Sequence, residues 1–261
     1  MSNNILAKIV ESKFGEVAAR KQQISIADLE AMPLFGQQPH SLKANLLDPS
    51  KNGIIAEFKR QSPSKGIINA TAQVVEVTKA YTEYGAAGVS VLTDGPYFGG
   101  GLADLAIAIQ NPIPVLRKEF IIDEFQIIEA KAYGAAVILL IAACLTPAET
   151  KSLAVVAKQL GMEVLLELHD ETELTHICEE VDLVGINNRS LKSFEVNIEH
   201  SLKLKDLLPK GKLSIAESGI YDVATYQLLK KEGFDGFLMG EYFMKQENPA
   251  KAFEEFSKLI K

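Results

Sequence analysis

Two lysines and three glutamates stand at the ends of short apolar runs, and they are the residues of this chain best suited to moving protons. They occur as Glu57-Phe58-Lys59, Arg117-Lys118-Glu119, Glu167 and Glu217-Ser218-Gly219, with Asn187-Asn188-Arg189 adding further polar groups. If these segments converge, Lys59 and Lys118 share a pocket with Glu57, Glu167 and Glu217, and carboxylates favour the ammonium form of a neighbouring lysine. The lysines are then proton donors and the carboxylates acceptors or orienting groups, the composition of a general acid–base site. A Schiff-base lysine needs surroundings that free its lone pair, so this crowding argues against the competing reading, a lysine-dependent aldolase acting on a phosphosugar. A second set, Ser62, Ser218-Gly219 and Gly240-Glu241, offers hydroxyl and unobstructed backbone N–H groups, which suit a phosphate.

Such residues converge only if the elements carrying them end on one face. From residue 54 onward, eight β-rich apolar runs alternate with helix-length amphipathic segments, at 54–59, 88–92, 114–118, 136–141, 163–168, 183–187, 213–217 and 237–240. Recurrence every ~20 to 35 residues is the βα alternation of parallel sheets, and eight repeats predict a closed (β/α)8 TIM barrel, whose working face lies where the strands end. Residues two apart share a strand face, so Glu57 and Lys59 point together into the barrel mouth, Asn187 and Arg189 do likewise, and Phe58 faces the helices. The open doubly wound alternative lacks its marker, since no GxGxxG or GxxxxGK[ST] follows the first run. The Gly99-Gly100-Gly101 run reads as a turn before the next helix.

About 50 residues precede the barrel and form an N-terminal helical extension within one predicted domain of 1–261. Ile5, Ile9, Phe14 and Val17 mark one face of a helix over about 5–21, a short second helix begins near Ser25 and Ala27, and Pro33 and Pro39 announce irregular chain.

The 261 residues are 47% hydrophobic and 23% charged, ordinary globular usage that supports a substantial core. Net charge is −7 and no Lys/Arg run tracks a phosphate backbone, so nucleic acid is not an expected partner. No run of about 18 apolar residues exists and the N-terminal apolar stretch is broken by Lys8 and Glu11, so neither a membrane partner nor a leader is expected and a cytoplasmic setting is. Cys144 and Cys178 form no CxxC pair and have no spaced histidines, so they are expected to be buried, reduced thiols rather than metal ligands. His169 shares a strand face with Glu167, an arrangement that invites a relay, but the preferred reading gives it no catalytic duty; His40, His176 and His200 read as surface or satisfied polar groups. A monomer or weak homo-oligomer is the expected assembly.

The motifs also occur in a recognisable order. The segments Glu57-Phe58-Lys59-Arg60-Gln61-Ser62-Pro63-Ser64-Lys65-Gly66, Leu92-Thr93-Asp94 with Tyr97-Phe98, Val115-Leu116-Arg117-Lys118, Gly185-Ile186-Asn187-Asn188-Arg189 and Ala216-Glu217-Ser218-Gly219-Ile220 resemble the indole-3-glycerol phosphate synthase family of tryptophan biosynthesis. The likeness runs over nearly the whole chain, extension included. It implies a small phosphosugar substrate, 1-(2-carboxyphenylamino)-1-deoxyribulose 5-phosphate, which closes its ring with loss of carbon dioxide and water, and it implies no cofactor or metal. By the same resemblance Lys118 is the general acid, Lys59 holds the substrate carboxylate or acts in dehydration, Glu167 is the base, and Glu57 orients Lys59. Asn187, Arg189 and Glu217 order the substrate and the lysines, Ser62, Ser218, Gly219, Gly240 and Glu241 bind phosphate, and Phe98, Phe120 and Leu140 wall the anthranilate ring. The chain departs from the family pattern at Glu119, usually Asp, at Ser190, usually Asp, and at Gly101, where serine is common.

Overall fold

The computed structural model describes residues 5–190 and 195–260; the first four residues included in the predicted extension, and 191–194 and 261, lie outside the described residues. Eight parallel strands close into a barrel, each hydrogen-bonded to the next in sequence and the last to the first. They are β1 (Ile54–Phe58), β2 (Gly88–Leu92), β3 (Val115–Lys118), β4 (Val137–Ile141), β5 (Glu163–Leu168), β6 (Leu183–Asn187), β7 (Leu213–Glu217) and β8 (Gly236–Met239). Five-residue runs such as Val137–Ile141, buried throughout, form such strands because both faces are covered, one by the barrel interior and one by helices. Their positions agree with the predicted runs to about a residue at each end.

Two apolar layers follow from strand alternation. Ile55, Leu116, Leu139, Leu165, Leu183, Ile215 and Leu238 fill the interior, while Phe58, Val89, Val91, Leu140, Leu166 and Ile186 pack outward against the helices. Phe58 therefore lies where parity puts it. Most crossovers are helical, as with Pro147–Gln159, where Thr146 caps the N-terminus, Glu149 completes a capping box and Pro147 occupies the first turn. Between β5 and β6 the helical part of the crossover is the short 3-10 segment Glu171–His176. The first βα loop contains a small hairpin, Gln61–Ser62 against Gly66–Ile67, that the sequence reading does not foresee.

The extension wraps the barrel from mouth to floor. Helix α1 (Ile5–Gln23) is long enough, at ~1.5 Å per residue, to span roughly the height of a barrel. Its lower half packs Val17 with Phe125 and Ala132. Helix α2 (Ile26–Glu30) begins at Ser25, whose hydroxyl and Asp28 form a capping box, and α3 (Leu42–Leu47) sends Leu42 and Leu46 into the interior layer of the barrel, closing its floor. The chain after Pro39 is thus helical where irregular structure is expected; Ser41 capping Ala44 is the signal that marks it.

The face of α1 differs from the one its apolar pattern suggests. Leu6, Ile9, Lys13 and Val17 are buried, whereas Phe14 is 63% exposed. Lys13 takes the inward position because anions meet it there: its Nζ lies 2.7 Å from Asp94 and 3.1 Å from Glu119, both buried, and 2.7 Å from Glu16. Burial pushes the ammonium down, but Glu119 and Asp94 more than offset this and raise it. The anchoring continues below, where Arg20 donates to Glu129 at 2.8 and 3.0 Å and Glu129 meets the Arg117 guanidinium at 2.9 Å. Replacing Lys13 by Met leaves Asp94 buried without its cation and Glu119 with only Arg117, at 3.9 Å, so Lys13→Met is expected to cost roughly 3 kcal/mol in urea unfolding, while Phe14→Ala should stay within about 0.5 kcal/mol. The reverse ranking would put α1 on its other face.

Candidate active site

One cavity of about 200 Å³ opens at the C-terminal ends of the strands. Its wall includes Glu57, Lys59, Ser62, Phe98, Lys118, Phe120, Glu167, Asn187, Arg189, Glu217, Ser218, Gly219, Gly240 and Glu241, which is every residue given a catalytic or substrate-binding role from the sequence except Leu140. Leu140 points outward into the helix-facing layer, and its neighbours Leu139 and Ile141 reach the cavity instead. Alternation along β4 is the signal that corrects it. Helix α1 adds Ile5, Leu6 and Ile9 to the same wall, a contribution not anticipated because nothing in the local sequence says which surface an amphipathic helix covers.

At the centre lies Lys118, on the last residue of β3. Its Nζ is 2.8 Å from Glu167 Oε2 and 2.9 Å from Glu217 Oε2, so one ammonium bridges carboxylates from two other strands. Burial alone pushes Lys118 down, but Glu167, then Glu217 and Glu57, reverse the effect and hold it above the ordinary lysine range. Burial raises Glu167, yet Lys118 and His169 draw it well below the usual carboxylate range. For Glu217 burial wins: with Glu167 and Glu57 nearby and only Lys118 opposing, it is pushed up to about 7. Its Oε1 is buried without a hydrogen-bond partner, over Gly185, where any side chain would collide with it. The two carboxyls flanking Lys118 therefore differ in acidity, a division that suits one to accept a proton and the other to hold one.

The neighbours of Lys118 in sequence explain its placement. Arg117 and Glu119 turn away from the barrel interior into the network that binds α1: Arg117 Nε donates to Thr93 Oγ1 at 3.1 Å, and Thr93 donates to Glu119 at 2.7 Å. Glu119 spans the distance to Lys13 while also accepting from its own neighbour, the Phe120 N–H, at 2.9 Å. The departure at Glu119 is thus occupied by buried contacts.

Around this centre, Asn187 Nδ2 donates to Glu167 Oε1 at 2.9 Å, and the register that sets Asn187 beside Glu217 brings β6 and β7 together at the mouth. On β1, Lys59 Nζ is 2.6 Å from Glu57 Oε1. Gly240 leaves room for that glutamate, since a Cβ there would lie 2.7 Å from Glu57 Cβ. Phe98 and Phe120 form an apolar side with ring centroids 6.0 Å apart.

The opposite end is polar and strained. Ser218 has φ 65°, the described chain's one non-glycine residue with positive φ, and Gly219 follows at 74°. Asn188 Nδ2 holds the Ser218 carbonyl at 2.7 Å, which helps to maintain a conformation costing about 1 to 3 kcal/mol. Arg189 Nη2 donates to Glu241 at 3.1 Å and to Tyr221 Oη at 3.0 Å.

Elsewhere, Cys144 and Cys178 are free thiols, half-buried rather than fully buried as expected. His176 is buried with its ring nitrogens 3.0 and 2.9 Å from the Glu173 and Leu145 carbonyls. His169, given no duty in the sequence reading, stands against Glu167. No described helix is long and apolar enough to cross a membrane.

The raised Glu217 has a consequence for stability. A carboxyl whose folded value lies above its unfolded one binds more protons folded than unfolded between the two, so its contribution is present at low pH and lost as pH rises through about 7. Glu217→Gln lacks that loss. Urea unfolding at pH 5 and pH 8 should find the variant gaining stability relative to the parent at the higher pH; a difference independent of pH would mean the proton resides elsewhere.

Comparison with known proteins places the chain in a family. The chain matches the family model for indole-3-glycerol phosphate synthase over residues 6–256. It is 43% identical over 260 residues to the indole-3-glycerol phosphate synthase of Bacteroides thetaiotaomicron, covering 98% of this chain and 99% of that one. It is 40% identical to the enzyme of the same name from Acinetobacter baumannii, over 97% and 95% of the two chains. Among solved structures it shares its fold with a mutant tryptophan synthase α-subunit from Pyrococcus furiosus, at TM-score 0.61, 12% identity and coverage of 80% of this chain and 97% of that one. A 3-hexulose-6-phosphate synthase from Salmonella typhimurium matches at the same TM-score, 13% identity and coverage of 80% and 98%. With a family model spanning the barrel and relatives matched over nearly their full lengths, this chain belongs to the indole-3-glycerol phosphate synthase family.

Proposed function

We propose that the chain converts 1-(2-carboxyphenylamino)-1-deoxyribulose 5-phosphate to indole-3-glycerol phosphate, carbon dioxide and water, with Lys118 as the general acid. The observation that carries this reading is the buried Lys118 ammonium between Glu167 and Glu217, in a cavity with an apolar side at Phe98 and Phe120. The aromatic carbon bearing the carboxylate attacks the ketose carbonyl, and the carbonyl oxygen takes a proton from Lys118 as negative charge develops on it. Carbon dioxide then leaves, returning its bonding pair to the ring. The new hydroxyl departs as water on taking a second proton, while one proton is released from the ring system.

Glu167 accepts that released proton. It is a poor base while Lys118 is charged, because the ammonium stabilises its ionised form. Once Lys118 has given its proton to the carbonyl oxygen, the neighbouring charge is gone and the carboxylate becomes more basic. Acid and base thus act in order, through the 2.8 Å contact between them. Two protons are taken up and one is released, so each turnover draws one from solvent, and Glu217, raised to about 7 and 2.9 Å from Lys118, is suited to return a proton to the amine.

Lys59, held by Glu57, supplies a second cation for the substrate carboxylate or for the departing hydroxyl. Ser62, Ser218, Gly219, Gly240 and Glu241 accommodate the phosphate, with Glu241 contributing its backbone, since its carboxylate is engaged by Arg189. The reading involves a small phosphosugar substrate and a cytoplasmic setting, gives nucleic acid and membrane no part in the chemistry, and requires neither a cofactor nor an assembly beyond a monomer or weak homo-oligomer.

Indole fluorescence on mixing with the carboxyphenylamino substrate tests the whole reading; no product at saturating substrate would end it. Lys118→Met removes the donor but keeps the bulk, and should lower kcat by ~10² or more. Near-normal turnover, or a borohydride-stable adduct of Lys118 with a ketose phosphate, would reject its role as acid. Ser218→Ala should chiefly raise KM, as expected for a phosphate contact equally strong in ground and transition states. An unchanged KM would move the phosphate elsewhere.

A further inference from the structure

One buried titratable group faces the centre without lining the cavity. His169, just beyond the end of β5, has its Nε2 3.2 Å from Glu167 Oε1 and its Nδ1 3.7 Å from Glu173 Oε2, with the side chain 9% exposed. Glu167 is therefore approached from two directions: Lys118 meets Oε2, while His169 and Asn187 meet Oε1. Neither imidazole contact has the alignment of a hydrogen bond, so the coupling is chiefly one of charge.

The surroundings decide which charge the ring carries. Ionised carboxylates only accept hydrogen bonds, and a neutral imidazole would turn a lone pair toward one of them. Doubly protonated, it sets a positive charge 3.2 Å from Glu167 and 3.7 Å from Glu173. Burial disfavours the charged ring, but Glu167 and Glu173 reverse that and raise it to about 9. The other titratable neighbours are consistent with this. The Cys144 thiol, from the turn after β4, is pushed up by burial and by Glu167 and Glu173. From Ile198–Asp206, His200 brings its ring Nε2 to 2.9 Å from the His169 carbonyl oxygen rather than to its ring, and Lys118 lies across Glu167.

A cation in this position answers a difficulty in the site. In a buried pocket, Lys118 and Glu167 can neutralise each other by passing one proton across their contact, leaving an amine with nothing to donate. We infer that His169 is a positioning residue which, as an imidazolium behind Glu167, keeps that carboxylate ionised and the proton on Lys118 until substrate takes it. This rests on the roles proposed above for Lys118 and Glu167.

Two measurements test it. Nitrogen-15 NMR of the imidazoles in the unmodified protein should find His169 doubly protonated at pH 7.5, and Glu167→Gln should lower its titration midpoint by about one pH unit or more. A ring that is neutral at that pH, or a midpoint indifferent to Glu167, overturns the inference without relying on activity. In steady-state kinetics, His169→Asn should move the acidic limb of the kcat profile upward by about one pH unit as Glu167 loses a cation, with KM changed less than about twofold. If Glu167→Gln retains normal turnover, the base assignment fails and this inference with it. If Glu167→Gln is inactive and His169→Asn keeps the parental profile, this inference alone fails.

Discussion

A buried ammonium held between carboxylates is the constraint on which the rest of this site depends. Taking Lys118 out of water costs several kcal/mol unless opposite charge meets it, and Glu167 and Glu217 do so from β5 and β7 at 2.8 and 2.9 Å. The same desolvation that makes the arrangement costly gives it chemical use. It separates the two carboxyls in acidity, it strengthens the attraction by which Glu167 and Glu217 keep the lysine protonated against burial, and it lets one proton transfer change the basicity of the neighbouring group. In a solvent-exposed trio of the same residues the charges would be screened, and a proton transfer from one would scarcely change the acidity of the others.

Such a centre needs rigid support, which comes from outside the barrel as much as from within it. Lys118 alternates with Arg117 and Glu119, and both of these are gripped by a buried network running through Thr93, Lys13, Glu129 and Arg20. Two of those partners belong to α1. The helix that lines the mouth with Ile5, Leu6 and Ile9 is thereby bound to the strand that carries the acid. The extension meets the barrel at both ends, lining the mouth by this contact above and closing the floor with Leu42 and Leu46 below.

The local departures from the family pattern fit this picture to different degrees. Glu119 uses its additional methylene in contacts to Thr93, Lys13 and the Phe120 N–H. Gly101 stands at the N-cap of Leu102–Ala108 with no side-chain cap, the position where a serine hydroxyl would satisfy a free helical N–H. Ser190 lies in the cavity wall, its backbone N–H bonded to the Glu195 carbonyl.

Strand order, strand parity and the group of charged strand ends were legible in the chain itself, because a closed parallel barrel repeats one local pattern and puts every strand terminus on one face. That regularity is why Glu57, Lys59, Lys118, Glu167, Asn187 and Glu217 can be grouped without coordinates, and why Leu140 is corrected by its own alternation. The pairing of Glu57 with Lys59 was legible too, but pairing between distant elements was not. The sequence alone does not tell that Lys13 rather than Phe14 faces inward, that Glu217 rather than Glu167 is the carboxyl raised in pKa, or that His169 stands behind the base. Each of these depends on which charges meet across elements far apart in the chain and on how much water is excluded between them, and only tertiary packing sets those two quantities.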